Sequence, residues 1–133
     1  MINFFVFGDP VPQGRPRFTT KPFPMAYDPK TSKDWKKVVA THARCSKPDI
    51  LEGPLHMSLS FYLKRPKSLP KKVKHHIKKP DLDNLAKAVK DALEGICFLR
   101  DQQVVSMDLK KEYATEGVTG ATGVRVTIRK IEA

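Results

Sequence analysis

The segment from Leu55 to Leu63 alternates without a break: Leu55, Met57, Leu59, Phe61 and Leu63 are apolar, and His56, Ser58, Ser60 and Tyr62 lie between them. Side chains of an extended chain point to opposite faces in turn, so this pattern predicts a half-buried strand. Such a strand needs hydrogen-bonding neighbours and an apolar cover on its buried side. Three further segments supply the neighbours. Ile2 to Phe7 is apolar on both faces and stops at Gly8-Asp9-Pro10, as a buried strand would. Val105, Met107 and Leu109 begin another strand. Val124, Val126 and Ile128 alternate with Arg125, Thr127 and Arg129 in the last one. Gly117, Gly120 and Gly123 mark a loose turn between these two, which predicts an antiparallel hairpin at the end of the chain.

Two segments have helical spacing. Leu82, Leu85, Val89, Ala92, Leu93 and Ile96 form one apolar stripe, predicting a helix from about residue 82 to 96 with Gly95 at its C-terminal end. An earlier helix is predicted from about Lys33 to Cys45, capped by Thr31 or Ser32 and ended by Lys47-Pro48. Its face would carry Trp35, Val38, Val39 and His42. Residues 9–29 are rich in proline and read as a loop. The predicted order is β-α-β-α-β-β, an α+β fold in which a mixed or antiparallel sheet carries two packed helices. A chain of 133 residues suits one modest core, so residues 1–133 are expected to form a single domain.

Charge narrows the function. Lys and Arg number 25 against 14 Asp and Glu, a formal net charge of +11. So large an excess in a short chain points to a polyanionic partner, nucleic acid first. A membrane surface would call for a basic amphipathic helix with a bulky apolar face at a terminus, and the sequence has none. No window approaches the roughly 18 apolar residues of a membrane span. The first seven residues lack the basic start and small-residue cleavage site of a secretory signal. Cys45 and Cys97 make neither a disulfide framework nor a zinc spacing, so a reduced, cytoplasmic setting is expected.

The positive charge is concentrated. Residues 64–80 hold eight Lys or Arg, two His, three Pro and no acid. Lys64, Arg65, Lys67, Lys71, Lys72, Lys74, Lys78 and Lys79 are therefore candidate phosphate contacts, with Arg15 and Arg17 in the proline-stiffened loop. A solvated loop is the plain alternative, but eight like charges are costly to hold together without a partner. Tyr62 and Phe98 are the candidates for stacking on a splayed base.

Against this background, five of the 14 acids fall between residues 81 and 101: Asp81, Asp83, Asp91, Glu94 and Asp101. A polyanion binder gains from such a cluster only if a cation stands between carboxylate and phosphate. Residues two apart point about 200° apart on a helix but the same way on an extended chain. Pro80 favours a helix boundary here, leaving Asp81 extended or at the N-cap and Asp83 in the first turn. That junction can aim both carboxylates at one point, and carboxylate oxygens suit magnesium. The plainer alternatives stand equally: helix capping for Asp81 or Asp83, an Asp83–Lys87 surface pair worth about 0.2–0.5 kcal/mol, and a turn role for Asp101. Spacing alone does not bring Asp101 to Asp83.

The string Lys79-Pro80-Asp81-Leu82-Asp83-Asn84-Leu85-Ala86-Lys87, then Asp91-Ala92-Leu93, then Asp101-Gln102-Gln103-Val104-Val105, resembles the signature of the RusA family of Holliday junction resolvases. That pattern is D-x-D-N-x-x-K, a D-A-L, and a D-x-Q-V after the helix. Gly14-Arg15-Pro16-Arg17-Phe18 and Tyr27-Asp28-Pro29-Lys30-Thr31 resemble its phage and prophage branches. The resemblance spans most of the chain. It implies a homodimeric endodeoxyribonuclease that resolves four-way DNA junctions in recombination and repair using Mg²⁺, with Mn²⁺ as a substitute. By position it makes Asp81, Asp83 and Asp101 metal ligands and Lys87 a catalytic lysine, with Asp91 and Asn84 in support; Asp91 would orient Lys87. One departure is Arg100, where many relatives carry an acid. Two rival functions remain: a non-catalytic nucleic-acid-binding module, in which the aspartates are dispensable, and a metal-dependent nuclease acting on other branched DNA or on RNA.

Overall fold

The computed structural model describes residues 1–14, 17–19, 25–27, 30–114 and 120–132, with 17–19 and 25–27 described through their backbone alone. Strand β1 (Ile2–Phe7) is followed by two short strands, β2 (Arg17–Thr19) and β3 (Met25–Tyr27). Helix α1 (Lys30–Cys45), strand β4 (Leu55–Leu63), helix α2 (Leu82–Leu93), a single 3₁₀ turn (Asp101–Gln103), and strands β5 (Val104–Tyr113) and β6 (Gly123–Lys130) complete the order. The main sheet has the order β1-β6-β4-β5, so the fold is the α+β arrangement the patterning predicts.

The alternation in β4 does what its period requires. Leu55, Met57, Leu59, Phe61 and Leu63 are buried, while the residues between them are half-buried. Register carries the same face across the sheet: Leu59 lies beside Val126, which lies beside Phe4. The helices cover this face with Trp35, Val39 and Ala43 from α1 and Leu85, Val89 and Leu93 from α2.

The expected terminal hairpin is not formed. β6 pairs antiparallel with both β1 and β4, while β5 lies on the far side of β4 and runs parallel to it. Parallel neighbours need a crossover connection rather than a tight turn. The basic tract and α2 provide it, returning the chain so that β5 starts at the same end of the sheet as β4. Gly123 opens β6 at φ +155°, and a Cβ there would run into the Val6 carbonyl and the Phe5 ring.

Local expectations shift in three places. The proline-rich stretch holds the antiparallel pair β2–β3, with Arg17 opposite Tyr27, rather than being loop throughout. Helix α1 begins at Lys30, so Thr31 and Ser32 lie inside its first turn and are not its cap. Its buried face is Ser32, Trp35, Val39 and Ala43, with Val38 exposed, because the stripe follows what β1 and α2 leave to be covered. Helix α2 ends at Leu93, not at Ile96: Glu94 is extended, and Gly95 takes φ +85°, a left-handed conformation that favours glycine.

Candidate active site

Asp81 occupies the N-cap of α2 with extended backbone (φ −69°, ψ 140°), but its carboxylate makes no capping hydrogen bond. The helix does not use it, so capping does not explain an aspartate here. Asp83 lies exposed in the first turn, with Lys87 and Asp91 following at four-residue intervals on the same face. Among the described residues no ion pair joins Asp83 to Lys87. Asp91 is paired instead with α1, its Oδ2 standing 3.5 Å from Lys36 Nζ. The expected role for Asp91, orienting Lys87, thus has a competitor that the sequence did not show.

Asp101 arrives from the other side. It starts the 3₁₀ turn instead of opening the strand directly, and its N–H donates to Glu94 Oε2 at 2.9 Å. Gln103 holds that turn. Its Oε1 accepts from the Leu99 and Arg100 N–H groups at 3.1 and 3.0 Å, and its Nε2 donates to the Leu51 and Gly53 carbonyls, both at 3.1 Å. Gln103 belongs to the D-x-Q-V string, and that string was the available signal for it. Arg100, the departure from the family pattern, is exposed and caps the turn with its carbonyl, which accepts from the Gln103 N–H at 3.1 Å.

These pieces form one cleft of about 300 Å³ between α2 and β5. Asp83, Lys87, Lys90, Asp91 and Asp101 line it over a floor of Met107 and Leu109. Asp83 and Asp101 therefore share a cleft, although Asp101 reaches it beside the C-terminal end of α2. Asp81 is not among its lining residues. Among the described residues no three His, Cys, Asp or Glu side chains converge tightly enough to hold a metal ion between them. Magnesium does not demand that: it is usually held by one or two carboxylates and completes its shell with water and substrate phosphate. A cleft offering Asp83 and Asp101, with Asp91 engaged by Lys36, fits that habit.

Two contacts set the approach to the helix. Lys111 Nζ donates to the carbonyls of Lys78 and Pro80 at 2.7 and 2.9 Å, fixing the chain just ahead of Asp81 to strand β5. The Gln13 N–H donates to the Asn84 carbonyl at 2.9 Å, bringing the proline-rich loop against the first turn of α2. Neither Lys111 nor Gln13 stood out in the sequence. Arg15 and the side chain of Arg17 lie outside the described residues.

The basic tract divides in two. Lys64, Lys67, Lys71 and Lys74 face a separate cleft, and Lys72, Lys78 and Lys79 are exposed outside it. Arg65 is spent internally: its guanidinium donates to the Val73 and Pro70 carbonyls at 2.7 and 2.8 Å and stands 5.2 Å from the centre of the Tyr113 ring. Of the two stacking candidates, Phe98 is fully buried and unable to reach a base, while Tyr62 is half-buried on the sheet face away from the helices, 6.1 Å from the Phe5 ring. Burial pushes the Cys97 thiol up to about 11, so it is no nucleophile at neutral pH.

A sheet packed under two helices on one face, an acidic cleft between helix α2 and strand β5 and a concentrated basic tract define a small protein that acts on a polyanion. The chain belongs to the RusA endodeoxyribonuclease family, whose family model matches residues 8–129. It is accordingly an enzyme of a family of Holliday junction resolving endodeoxyribonucleases. The chain is also 37% identical over 144 aligned positions to the uncharacterized protein YqaN of Bacillus subtilis (strain 168), covering 99% of this chain and 98% of that protein. Among the described residues no helix is long and apolar enough to cross a membrane.

Proposed function

We propose that this chain, acting as one endonuclease unit, cuts four-way DNA junctions by Mg²⁺-dependent hydrolysis in the cytoplasm. In this reading two copies make paired nicks. The observation that carries it is the single cleft in which Asp83, Lys87, Asp91 and Asp101 come together from α2 and the 3₁₀ turn. Asp83 and Asp101 would hold the ion, with Asp81 added as the chain ahead of α2 adjusts to substrate. When bound, Mg²⁺ polarises the phosphoryl group and lowers the pKa of a coordinated water. Lys87 places positive charge where negative charge develops on the phosphate. Asp91, tied to Lys36, keeps α1 and α2 in register so that Lys87 faces the cleft. The lysines of residues 64–79 hold the DNA through its phosphates.

The test is gel-resolved cleavage of a labelled immobile four-way junction and a matched duplex, with Mg²⁺ and with EDTA. Wild type should make paired nicks in the junction only and only with Mg²⁺. Asp83→Asn and Asp101→Asn should each cut at least about 100-fold more slowly, the scale lost with one transition-state contact, while still binding the junction. Binding without cleavage by wild type would leave a DNA-binding module. Near-normal cutting by Asp83→Asn would remove it from the site.

A further inference from the structure

The crossover that makes β5 parallel to β4 also folds the basic tract into a second cleft. Lys64, Lys67, Lys71 and Lys74 rim a cavity of about 700 Å³ with Leu69, Val73 and Tyr113 in its walls. Its shape is built rather than incidental. Arg65 bridges the Pro70 and Val73 carbonyls and lies over one side of Tyr113, while the His76 ring packs 4.8 Å from the same ring. The Leu69 and Val73 N–H groups close turns on the Pro66 and Pro70 carbonyls at 3.1 and 3.0 Å. The result is a fixed apolar wall beneath four ammonium groups, with Glu112 the one acid among the described lining residues.

The cleft's position gives it a meaning. It lies at the Tyr113 end of β5, whereas Met107 of the same strand floors the acidic cleft. The nearest strand residues of the two clefts, Leu109 and Glu112, are three apart and the farthest, Met107 and Tyr113, six apart, a span of ~10–20 Å at ~3.3 Å each. One strand of B-DNA advances ~3.4 Å per phosphate, so ~10–20 Å corresponds to about three to six nucleotides. Its described lining offers ammonium groups over apolar surface, the pairing that suits the phosphates and sugars of a backbone.

We propose that this cleft is a strand anchor. It holds the sugar–phosphate backbone about three to six nucleotides from the phosphate in the acidic cleft, with lysines on the phosphates and the apolar wall against the sugars. The anchor fixes which phosphate reaches the carboxylates by measuring along an arm of the branched DNA. The proposal rests on the nuclease reading above.

The experiment is phosphate mapping. Single neutral methylphosphonates are placed one to nine nucleotides from the cut in a four-way junction, and affinity is measured by gel shift in EDTA. Wild type should lose affinity several-fold at positions about three to six. The variant Lys67→Ala/Lys71→Ala/Lys74→Ala, whose changed side chains are all exposed, should bind more weakly and be insensitive at those positions. Its slope of log affinity against log salt should be shallower by about 2–3, following ~0.9 per phosphate contact. Lys71→Ala alone should show the same changes in smaller degree. A flat map in wild type, or a triple variant still sensitive at the same positions, would overturn the anchor. Junction cleavage with a flat map sinks the anchor alone, whereas a wild type that neither binds nor cuts junctions sinks the nuclease reading with it.

Discussion

At the scale of single residues, the cleft depends on side chains with no chemistry of their own. Lys111 is the clearest. It faces the helix-covered side of an otherwise apolar sheet face and spends its ammonium on the two carbonyls ahead of Asp81. Lys111→Met should lower global stability by only about 1–2 kcal/mol, since the freed carbonyls can turn to water. Its larger effect should be on Asp81 placement, seen as a several-fold rise in the Mg²⁺ concentration needed for half-maximal cutting with junction affinity in EDTA unchanged. Equal Mg²⁺ titrations for variant and wild type would leave Lys111 a purely structural tie. The aspartates themselves were legible as an unusual cluster in a basic chain. Their partners were not, because a lysine that meets a carbonyl 31 residues away leaves no local pattern.

At the scale of elements, the crossover segment is the part most open to solution conditions. His76 packs on Tyr113, and desolvation by burial, followed by the nearby Lys111 charge, holds its imidazole below the ordinary value of 6.5. A folded-state value below the unfolded one means the neutral ring is the one the fold accepts. Its contribution to stability is complete above about pH 6.5 and is lost as pH falls from there through the lower folded value. Thermal unfolding between about pH 5 and pH 7.5 should therefore show wild type losing more stability on acidification than His76→Phe, which keeps the ring and removes the proton. Parallel pH profiles for the two proteins would mean that His76 is free to ionise in place. Periodicity located both helices and all four strands of the main sheet, since burial of one face writes itself into local sequence. It misjudged the ends of α2 and the face of α1, where capping geometry and neighbouring elements decided.

At the scale of the whole molecule, a four-way junction has two-fold symmetry and needs two cuts, a demand met by a symmetric pair of sites. On a supercoiled plasmid carrying an extruded cruciform, a paired enzyme should yield linear DNA from the first time points. Nicked circles accumulating ahead of linear product would show that the two cuts are independent. The net charge of +11 also makes binding salt-sensitive, so these reactions should be compared at one ionic strength.

The sequence by itself determined the class of fold, the strand that anchors it, the polyanionic partner and the cluster of acids, because each is a matter of local spacing or summed charge. The motif at residues 79–105 carries the family resemblance, since its spacing is itself a local pattern. Only the tertiary structure decided that β5 runs parallel to β4 and not in a hairpin with β6, because a connection's length does not specify which strand it returns to. That choice aligns α2 with β5, brings Asp83 and Asp101 into one cleft, turns Arg65 inward and folds the lysines into a second cleft. All of these are long-range contacts, made between residues whose separation along the chain carries no trace of their meeting.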